Sequence, residues 1–405
     1  MTDHLDPNSD VAILVPRNPS VEIQLLRLGR ACARQGLSVQ FLVPDLLGDP
    51  TAVGRAFESA GFAVRAFHVE TWDSGLFRYP SPPAALRLLG SLRRSLRGFR
   101  PRVLVTHADA GALYRVVHVW ARESGVVGAV LQEGVAARLR PGYSPHSNST
   151  MRRIAGRVFR LFGPGWLKRQ VSNNLFAEHA LVWGPAMRNK LVKAGRDPQT
   201  IHVVGSPAFD HVEHRYPLPS AGLRTVLFAQ QHQPNADFEK QACRHIVQVC
   251  ADIVECRLLL RPHPRGYLTR QDVVAMASTT KNPSLVETAD SGDLLQHLHR
   301  ASVFLSYYST SAYHAVVYGV PLVLANWVSP AFELDAPEYG AALSVAKPED
   351  LEPALRAALE DAHCRQALYE GGARWLAVHL GQLDGGASDR CAAAIARLAG
   401  RSGGD

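Results

Sequence analysis

Short apolar runs alternate along the chain with longer stretches in which apolar residues recur at helical spacing. In the first half, apolar runs that indicate buried strands lie at 11–16, 37–43, 62–67, 102–106, 126–131, 180–183 and 201–204. Stretches with helical spacing lie at 21–35, 111–124 and 185–194. Such an alternation of strand and helix is typical of a parallel α/β sheet.

The alternation stops once and then begins again. Residues 209–224 show little periodicity and have three prolines or glycines near their end, which predicts a linker. Beyond it, strands are predicted at 225–229, 256–260, 303–306 and 321–325, and helices at 237–251, 291–300, 310–318 and 349–359. We therefore expect an α/β protein with two doubly wound, Rossmann-like domains, residues 1–212 and 213–405, facing a central cleft.

Length and composition agree with this expectation. The chain has 405 residues, of which 46% are hydrophobic and 20% charged, as in ordinary globular proteins with two domains. No apolar run approaches the roughly 18 residues that a membrane span needs, and residues 1–10 do not resemble a secretory signal. The six cysteines have no metal-binding spacing, which predicts reduced thiols in a cytoplasmic protein.

Positive charge is concentrated in two stretches without acidic residues. The formal charge is +8; residues 74–108 contain seven arginines, and residues 151–170 contain six basic residues. The second stretch also contains the apolar residues Ile154, Val158, Phe159, Leu161, Phe162, Trp166 and Leu167. Such stretches attract anionic lipids or anionic polymers, and this mixture predicts an amphipathic segment in peripheral contact with an anionic membrane, at the inner face of the plasma membrane. An arginine-rich helix packed on its own domain is the alternative.

Several common ligand motifs are absent from the sequence. It contains no GxxxxGK[ST] segment and no GxGxxG after the first strand, which argues against a P-loop NTPase and a common dinucleotide oxidoreductase. It also contains no Asp-x-Asp pair to hold a diphosphate through a divalent metal. We expect no metal site, no cofactor and no nucleic-acid partner.

A basic loop, Arg261-Pro262-His263-Pro264-Arg265, directly follows the predicted strand 256–260. Ligands of open α/β sheets bind beyond the carboxyl ends of the strands. Two arginines and a histidine, stiffened by two prolines, can present N–H donors to a phosphate with little loss of entropy. The loop therefore predicts a phosphate site, with a rigid turn of no further function as the alternative.

Hydroxyl side chains follow the predicted strand 303–306. Ser309, Thr310 and Ser311 lie where a helix containing His314 is predicted to begin. Hydroxyls together with unpaired first-turn N–H groups form a site for an anion. Ordinary capping of the helix by Ser309 or Thr310 is the alternative, and it is compatible with phosphate binding.

In the first domain, Gln132-Glu133-Gly134 follows the predicted strand 126–131. A carboxylate at the carboxyl end of a strand, facing a cleft, is a candidate general base for an acceptor hydroxyl. A solvated loop glutamate is the alternative. His107 is a weaker functional candidate at the end of another strand. Further residues expected at the cleft or the acceptor are Arg17, Asn18, Asp109, Gln132, Gly205 and Ser206.

The order of these motifs resembles the GT-B superfamily, and within it bacterial capsule-type transferases, including polysialyltransferases and teichoic-acid glycerophosphotransferases. The likeness spans about residues 100–395 and is carried by Gln132-Glu133-Gly134, Trp183-Gly184-Pro185 with residues 204–210, residues 261–264, Ser309-Thr310 and Gly319-Val320-Pro321. Residues 384–390 resemble the ending of such enzymes. The chain is also similar to UDP-N-acetylglucosamine 2-epimerases, which share the fold.

The resemblance implies roles for individual residues. His263 of the His-Pro pair and Ser309 with Thr310 would bind the nucleotide phosphate, and Glu133 would act as the base. Gln132 stands where an acid is common in the family. His314 stands where many GT-B enzymes place the glutamate that holds the ribose.

The resemblance also implies a function. We expect a metal-independent, inverting glycosyltransferase of capsule or other polysaccharide synthesis, with an N-terminal acceptor domain and a C-terminal nucleotide-donor domain. The donor would be a nucleotide sugar, with CMP- or CDP-linked donors slightly favoured over UDP-linked ones, and the acceptor a glycan or lipid-linked molecule. The alternatives are a UDP-N-acetylglucosamine 2-epimerase-like isomerase, a CDP-glycerol-type glycerophosphotransferase and a non-catalytic glycan-binding protein.

Overall fold

The computed structural model describes most of the chain, and its residues form two compact units. The described residues are 8–15, 19–45, 50–67, 82–109, 112–134, 138–139, 176–212, 224–231, 236–254, 256–263, 266–289, 294–328 and 332–401. Unit 1 comprises residues 1–133, 148–211 and 379–405, and unit 2 comprises residues 134–147 and 212–378. The chain therefore passes between the units more than once.

The described residues contain fifteen strands and twelve α-helices. The strands are β1 (Val11–Leu14), β2 (Val39–Pro44), β3 (Ala63–Phe67), β4 (Val103–Thr106), β5 (Val127–Leu131), β6 (Arg138–Leu139), β7 (His179–Val182), β8 (Ile201–Val203), β9 (Thr225–Ala229), β10 (Arg257–Arg261), β11 (Val286–Thr288), β12 (Val303–Ser306), β13 (Leu322–Ala325), β14 (Phe332–Glu333) and β15 (Leu343–Val345). The helices are α1 (Pro19–Arg34), α2 (Pro50–Ser59), α3 (Pro82–Ser95), α4 (Ala112–Glu123), α5 (Pro185–Lys193), α6 (Ala236–Gln248), α7 (Arg270–Ala277), α8 (Leu294–Arg300), α9 (Ser311–Val317), α10 (Leu351–Glu360), α11 (Ala362–His379) and α12 (Ala387–Leu398).

Unit 1 is built on a parallel sheet with the strand order β3-β2-β1-β4-β5-β7-β8. Helices α1 and α12 contribute to the apolar layer on one face, and α3 and α4 contribute to the other. All four residues of β1 are buried, as expected for a strand covered on both faces. The order reverses beside β1, so the carboxyl ends of β1 and β4 mark the switch point of this sheet.

Unit 2 repeats the same winding with the strand order β11-β10-β9-β12-β13-β15, all parallel. Helices α6 and α10 contribute to one apolar layer, and the ring of Tyr313 on α9 stacks on Trp375 of α11 at 4.3 Å between centroids. Strands β6 and β14 form a separate antiparallel pair. The prediction of two doubly wound, Rossmann-like α/β domains is confirmed.

The C-terminal helix differs from the predicted division, which assigns residues 213–405 to the second domain. Helix α12 packs against α1 in unit 1. The Asp210 carboxylate accepts hydrogen bonds from the backbone N–H groups of Ala387 and Ser388 at 2.8 and 2.7 Å, and Arg390 Nε donates to Val204 O at 3.0 Å. Residues 204–210 and 384–390 are therefore two halves of one contact that anchors the end of the chain.

Some helices were not predicted because their apolar residues are interrupted by charge or small residues. Helix α3 buries Leu88 and Leu92, but Arg87 before them and Arg93 and Arg94 after them obscure this periodicity in the sequence. In the part of the chain that the structure describes, no helix combines the length and apolarity needed to cross a membrane. The basic segment 151–170, singled out by the sequence, lies outside the described residues.

Candidate functional site

Three neighbouring strands of unit 2 lead into polar residues at their carboxyl ends. In the order β10-β9-β12, Arg261 ends β10, Gln230 follows β9, and Tyr307 follows β12. The strand order reverses beside β9, and ligands of doubly wound sheets bind at this position. The loop that begins at Arg261 and the segment that leads from Tyr307 to Ser309 therefore lie at the same edge of this sheet.

Two glutamines directly after β9 hold the loops on either side. The side-chain oxygen of Gln230 accepts a hydrogen bond from the backbone N–H of His263 at 3.1 Å. The side-chain oxygen of Gln231 accepts one from the backbone N–H of Tyr308 at 2.8 Å. Gln230 thus fixes the basic loop after β10, and Gln231 fixes the hydroxyl-rich segment after β12.

A buried carboxylate completes the support of the basic loop. Glu239 on α6 is fully buried and accepts hydrogen bonds from the side-chain amide of Gln230 and, at 3.0 Å, from the backbone N–H of Tyr267. A Cβ built on Gly266 would lie 3.2 Å from both Glu239 Oε1 and His263 O. Any side chain at this position would push these neighbours apart by a few tenths of an ångström, so glycine suits the close packing of the loop on the carboxylate.

The sequence-predicted phosphate ligands are partly exposed at this edge. Arg261 and His263 are half-buried, as are Ser309, Thr310 and Ser311. Ser309 Oγ accepts hydrogen bonds from Ser311 N at 3.2 Å and from Ser311 Oγ at 2.6 Å. The structure thus brings the basic loop and the hydroxyl segment to strand ends on either side of β9, where their side chains are partly exposed.

Thr310 immediately precedes helix α9 and makes no side-chain capping hydrogen bond. Because α9 has only seven residues, the hydroxyl groups and the basic loop, rather than a long helix dipole, are the relevant groups for an anion. His314 is half-buried on this helix. Pro264 and Arg265 of the basic loop lie outside the described residues.

Sequence reasoning missed Gln230, Gln231 and Glu239. The strand 225–229 was predicted, and applying the strand-end rule to it would have pointed to both glutamines. Neutral amides carry no charge signal, however, and a glutamate in the first turn of an amphipathic helix is ordinarily exposed.

In unit 1, the candidate base lies in a small polar cluster. His107 follows β4, Glu133 follows β5 after one residue, and Tyr114 lies on α4. His107 Nε2 is 2.9 Å from Tyr114 Oη and 3.5 Å from Glu133 Oε2. The side chain of Glu133 is 31% exposed, whereas that of His107 is 7% exposed. The carboxylate can therefore reach solvent, while the imidazole beside it is buried.

Burial controls the charge of this cluster. It lowers the pKa of His107 to about 4, so the imidazole is neutral at pH 7. Burial, and secondarily the negative charge of Glu133, raise the pKa of Tyr114 above its ordinary value. The carboxylate is therefore accompanied by two uncharged polar groups.

The hydrogen bonds of Gln132 and Asp109 indicate structural roles for both residues. Buried Gln132 accepts a hydrogen bond from Trp183 N at 2.9 Å through its side-chain oxygen. Fully buried Asp109 accepts from the backbone N–H groups of Phe176 and Ala177 at 2.7 and 2.9 Å. Both side chains bind backbone N–H groups of segments that are distant in sequence.

Gly205 and Ser206 also contact protein groups. Gly205 has φ +84°, and a Cβ there would lie 2.8 Å from the Cβ of Ala387, so only glycine allows this approach of the C-terminal helix. Ser206 is buried, and its Oγ accepts a hydrogen bond from Gln24 Nε2 at 3.3 Å. Arg17 and Asn18, also predicted near the cleft, lie outside the described residues.

Comparison with known proteins places this geometry in context. The model of the glycosyl transferase 4-like domain matches residues 21–207. No curated protein matches the sequence.

Solved structures resemble the chain over nearly its whole length. A putative UDP-N-acetylglucosamine 2-epimerase from Listeria monocytogenes has a TM-score of 0.65 and 14% identity, covering 96% of each chain. The glycotransferase of kitacinnamycin has a TM-score of 0.61 and 18% identity, covering 96% of this chain and 99% of its own. A UDP-GlcNAc 2-epimerase from Neisseria meningitidis bound to UDP-GlcNAc has a TM-score of 0.60 and 13% identity, with coverage of 93% and 96%.

At these identities the likeness concerns the fold. Three observations indicate the same fold: the two parallel doubly wound units, the match to a glycosyltransferase domain, and the similarity to solved transferases and epimerases. The chain has the glycosyltransferase-like fold of the GT-B superfamily.

Proposed function

We propose that the protein is a metal-independent glycosyltransferase that moves a sugar from a nucleotide-activated donor to a glycan or lipid-linked acceptor with inversion. The observation that carries the proposal is the edge of unit 2 at which Gln230 and Gln231 fix the basic loop and the hydroxyl segment. Groups fixed before the substrate arrives stabilise developing charge without the cost of reorganisation.

The donor phosphates would bind at this edge. Arg261 and His263 after β10 provide nitrogen donors, and Ser309 and Thr310 after β12, on the other side of β9, provide hydroxyl donors. Hydrogen bonds to phosphate from cationic and hydroxyl groups are strong and directional. These residues would stabilise the phosphate charge that grows as the bond to the sugar breaks.

Glu133 would act as the general base. Its carboxylate takes the proton of the acceptor hydroxyl, the acceptor oxygen forms a bond with the anomeric carbon, and the bond from that carbon to the phosphate oxygen breaks. The leaving nucleotide keeps the electron pair of the broken bond. A single displacement of this kind inverts the configuration at the anomeric carbon.

An epimerase is the second candidate, because UDP-GlcNAc 2-epimerases are among the solved structures of similar fold. The two activities leave different products. A transferase releases nucleotide in proportion to the glycosylated acceptor, whereas an epimerase converts one nucleotide sugar into another without an acceptor. Separating nucleotide, nucleotide sugar and acceptor product after incubation distinguishes them.

A direct binding test can identify the nucleotide that the donor carries. The resemblance of the His-Pro loop and the Ser-Thr pair to cytidine-dependent enzymes predicts that CMP or CDP raises the melting temperature most, without added magnesium. A ligand at about 100 times its Kd adds about 2.7 kcal/mol to the stability, which corresponds to several degrees for units of this size. Similar folds solved with UDP or UDP-GlcNAc favour uridine instead.

A thermal-shift series with CMP, CDP, UDP, GDP and TDP, each with and without EDTA, decides between these donors. Stabilisation by UDP alone would make the cytidine prediction wrong while leaving the phosphate site intact. Loss of the shift in EDTA would contradict metal independence.

A lipid-linked acceptor would be met at a membrane, and we propose that the basic segment 151–170 provides peripheral contact. Six basic and no acidic residues in this segment should attract anionic vesicles. We expect co-sedimentation with anionic but not neutral liposomes at low salt. Binding that is unaffected by Arg152→Glu, Arg153→Glu and Arg157→Glu together would contradict this contact.

A further inference from the structure

The two described ends of the basic loop are joined to each other and held by two other segments. Gly266 N donates a hydrogen bond to His263 O at 2.8 Å. His263 N donates to the side-chain oxygen of Gln230, which follows β9, at 3.1 Å. Tyr267 N donates to Oε1 of Glu239, on α6, at 3.0 Å. A glutamine and a glutamate therefore hold the loop that contains the proposed phosphate ligand His263.

The two side chains that hold the loop are also bonded to each other. The side-chain amide of Gln230 donates through Nε2 to Glu239 Oε1, and the same oxygen accepts the bond from Tyr267 N. A carboxylate oxygen that accepts two N–H groups carries no proton, whereas an amide has a donor at one end and an acceptor at the other. Glu239 therefore orients the Gln230 amide: with Nε2 turned to the carboxylate, Oε1 faces the N–H of His263.

The burial of Glu239 indicates that this position requires an acceptor oxygen. Glu239 is fully buried, whereas Asp237 and Phe238 before it are exposed. Burying a carboxylate is costly unless hydrogen bonds compensate for the lost water, and an apolar side chain often fills a buried place at lower cost. A Cβ on Gly266 would lie 3.2 Å from Glu239 Oε1 and 3.3 Å from Gln230 Nε2. The loop thus lies directly against both groups that hold it.

We propose that Glu239 is a positioning residue for the donor phosphates, which orients the Gln230 amide and, through it, the backbone of His263. The proposal rests on the proposed function, because it assumes that His263 binds a nucleotide phosphate. Glu239 acts without touching the ligand, since a carboxylate in direct contact with a phosphate would repel it. Its contribution is to fix the loop before the donor arrives, so that less conformational freedom is lost on binding.

Substitutions at this position separate the reach of the acceptor oxygen from its charge. Glu239→Ala removes both hydrogen bonds to Oε1 and is expected to weaken nucleotide binding about fivefold to fiftyfold. Glu239→Gln keeps an acceptor oxygen at the same reach and should bind nucleotide within about threefold of the wild-type affinity. Glu239→Asp keeps the charge on a side chain one methylene shorter and should resemble Glu239→Ala. The probe is CDP or UDP, whichever raises the melting temperature more, titrated by calorimetry.

Lys240→Ala is a matched control at the next residue of the same helix. Lys240 Nζ forms an ion pair with Asp272 on α7 at 2.9 Å, and its loss should change nucleotide affinity less than about twofold. In steady-state kinetics, Glu239→Ala should raise the donor KM and leave the acceptor KM within about twofold. Unchanged affinity in Glu239→Ala, equal weakening in Lys240→Ala, or tighter binding by Glu239→Asp than by Glu239→Gln would overturn the proposal.

A double variant tests whether Glu239 acts through Gln230. Gln230→Ala combined with Glu239→Ala should bind nucleotide about as weakly as Glu239→Ala alone, because the single substitution already releases the amide. If the two effects multiply instead, the residues act independently, and the proposed orientation of Gln230 by Glu239 is wrong.

Hydrogen exchange of the protein without ligand, followed by NMR, separates this proposal from the proposed function. The N–H groups of His263 and Tyr267 should exchange faster in Glu239→Ala and keep wild-type rates in Glu239→Gln and Lys240→Ala. If no nucleotide binds to the wild-type protein, the proposed function fails, and the exchange rates still report whether Glu239 holds the loop. Unchanged exchange in Glu239→Ala would overturn the positioning role.

Discussion

Replacing Glu133 by glutamine is expected to lower turnover by about a hundredfold or more and to change nucleotide affinity by less than about threefold. Loss of a general base typically costs this much or more in rate. The amide cannot take the acceptor proton, although its size and its contact with His107 are largely preserved. Nucleotide affinity should be retained because the proposed phosphate ligands belong to unit 2 and Glu133 to unit 1. Steady-state kinetics and nucleotide titration of the same preparation measure both quantities.

Glu123→Gln is a suitable control for this experiment. Glu123 is also in unit 1, and its carboxylate forms an exposed ion pair with Arg93 at 2.8 Å. Exposed ion pairs contribute little to stability, so this variant should keep near wild-type turnover. Near wild-type turnover in Glu133→Gln would remove Glu133 from the mechanism. A large loss of nucleotide affinity would mean that its role is not confined to proton transfer.

Replacing His263 by alanine is expected to weaken nucleotide binding about tenfold to a hundredfold and to lower kcat/KM by at least the same factor. A hydrogen bond to a charged group contributes about 1.5–3 kcal/mol, and here it would be lost both with bound donor and in the transition state. Calorimetric titration with the nucleotide that stabilises the protein most, together with steady-state kinetics, provides the two numbers.

Two further variants show whether the effect of His263→Ala is specific to the basic loop. Gln230→Ala removes the acceptor that holds His263 N but no proposed phosphate ligand, so it should weaken nucleotide binding through the position of the loop. His299→Ala removes a more exposed histidine of unit 2 that contacts Tyr318 and should leave affinity unchanged. If His263→Ala binds nucleotide as tightly as the wild-type protein, the basic loop is only a turn.

Strands such as β1 and β12 were predictable because they are buried on both faces and so form short continuous apolar runs, whereas the more exposed edge strand β11 was not predicted. The candidate groups Glu133, Arg261 and Ser309 were predictable because polar residues follow those runs. Which polar residues are available to a ligand was not predictable. Asp109 also follows a strand, but its carboxylate accepts backbone N–H groups from a segment 67 residues away.

The burial of Glu239 and the packing of helix α12 in unit 1 could not be predicted from the sequence for a related reason. Glu239 has the spacing of an exposed helix residue and becomes a buried acceptor only when the loop after β10 folds onto it. Helix α12 follows unit 2 in the sequence but packs in unit 1. The Asp210 carboxylate accepts a hydrogen bond from the N–H of Ala387 in its first turn, and Gly205 leaves room for the side chain of Ala387. Both are contacts between distant segments, which local periodicity does not encode.

The most direct test of the central claim is product analysis with the purified protein, a stabilising nucleotide's sugar conjugates and candidate glycan or lipid-linked acceptors. We predict release of nucleotide that depends on the acceptor, equals the amount of glycosylated product, persists in EDTA and inverts the anomeric configuration, as seen by NMR. Conversion of the nucleotide sugar into its epimer without any acceptor, or the absence of any product with donors that bind, would contradict the account.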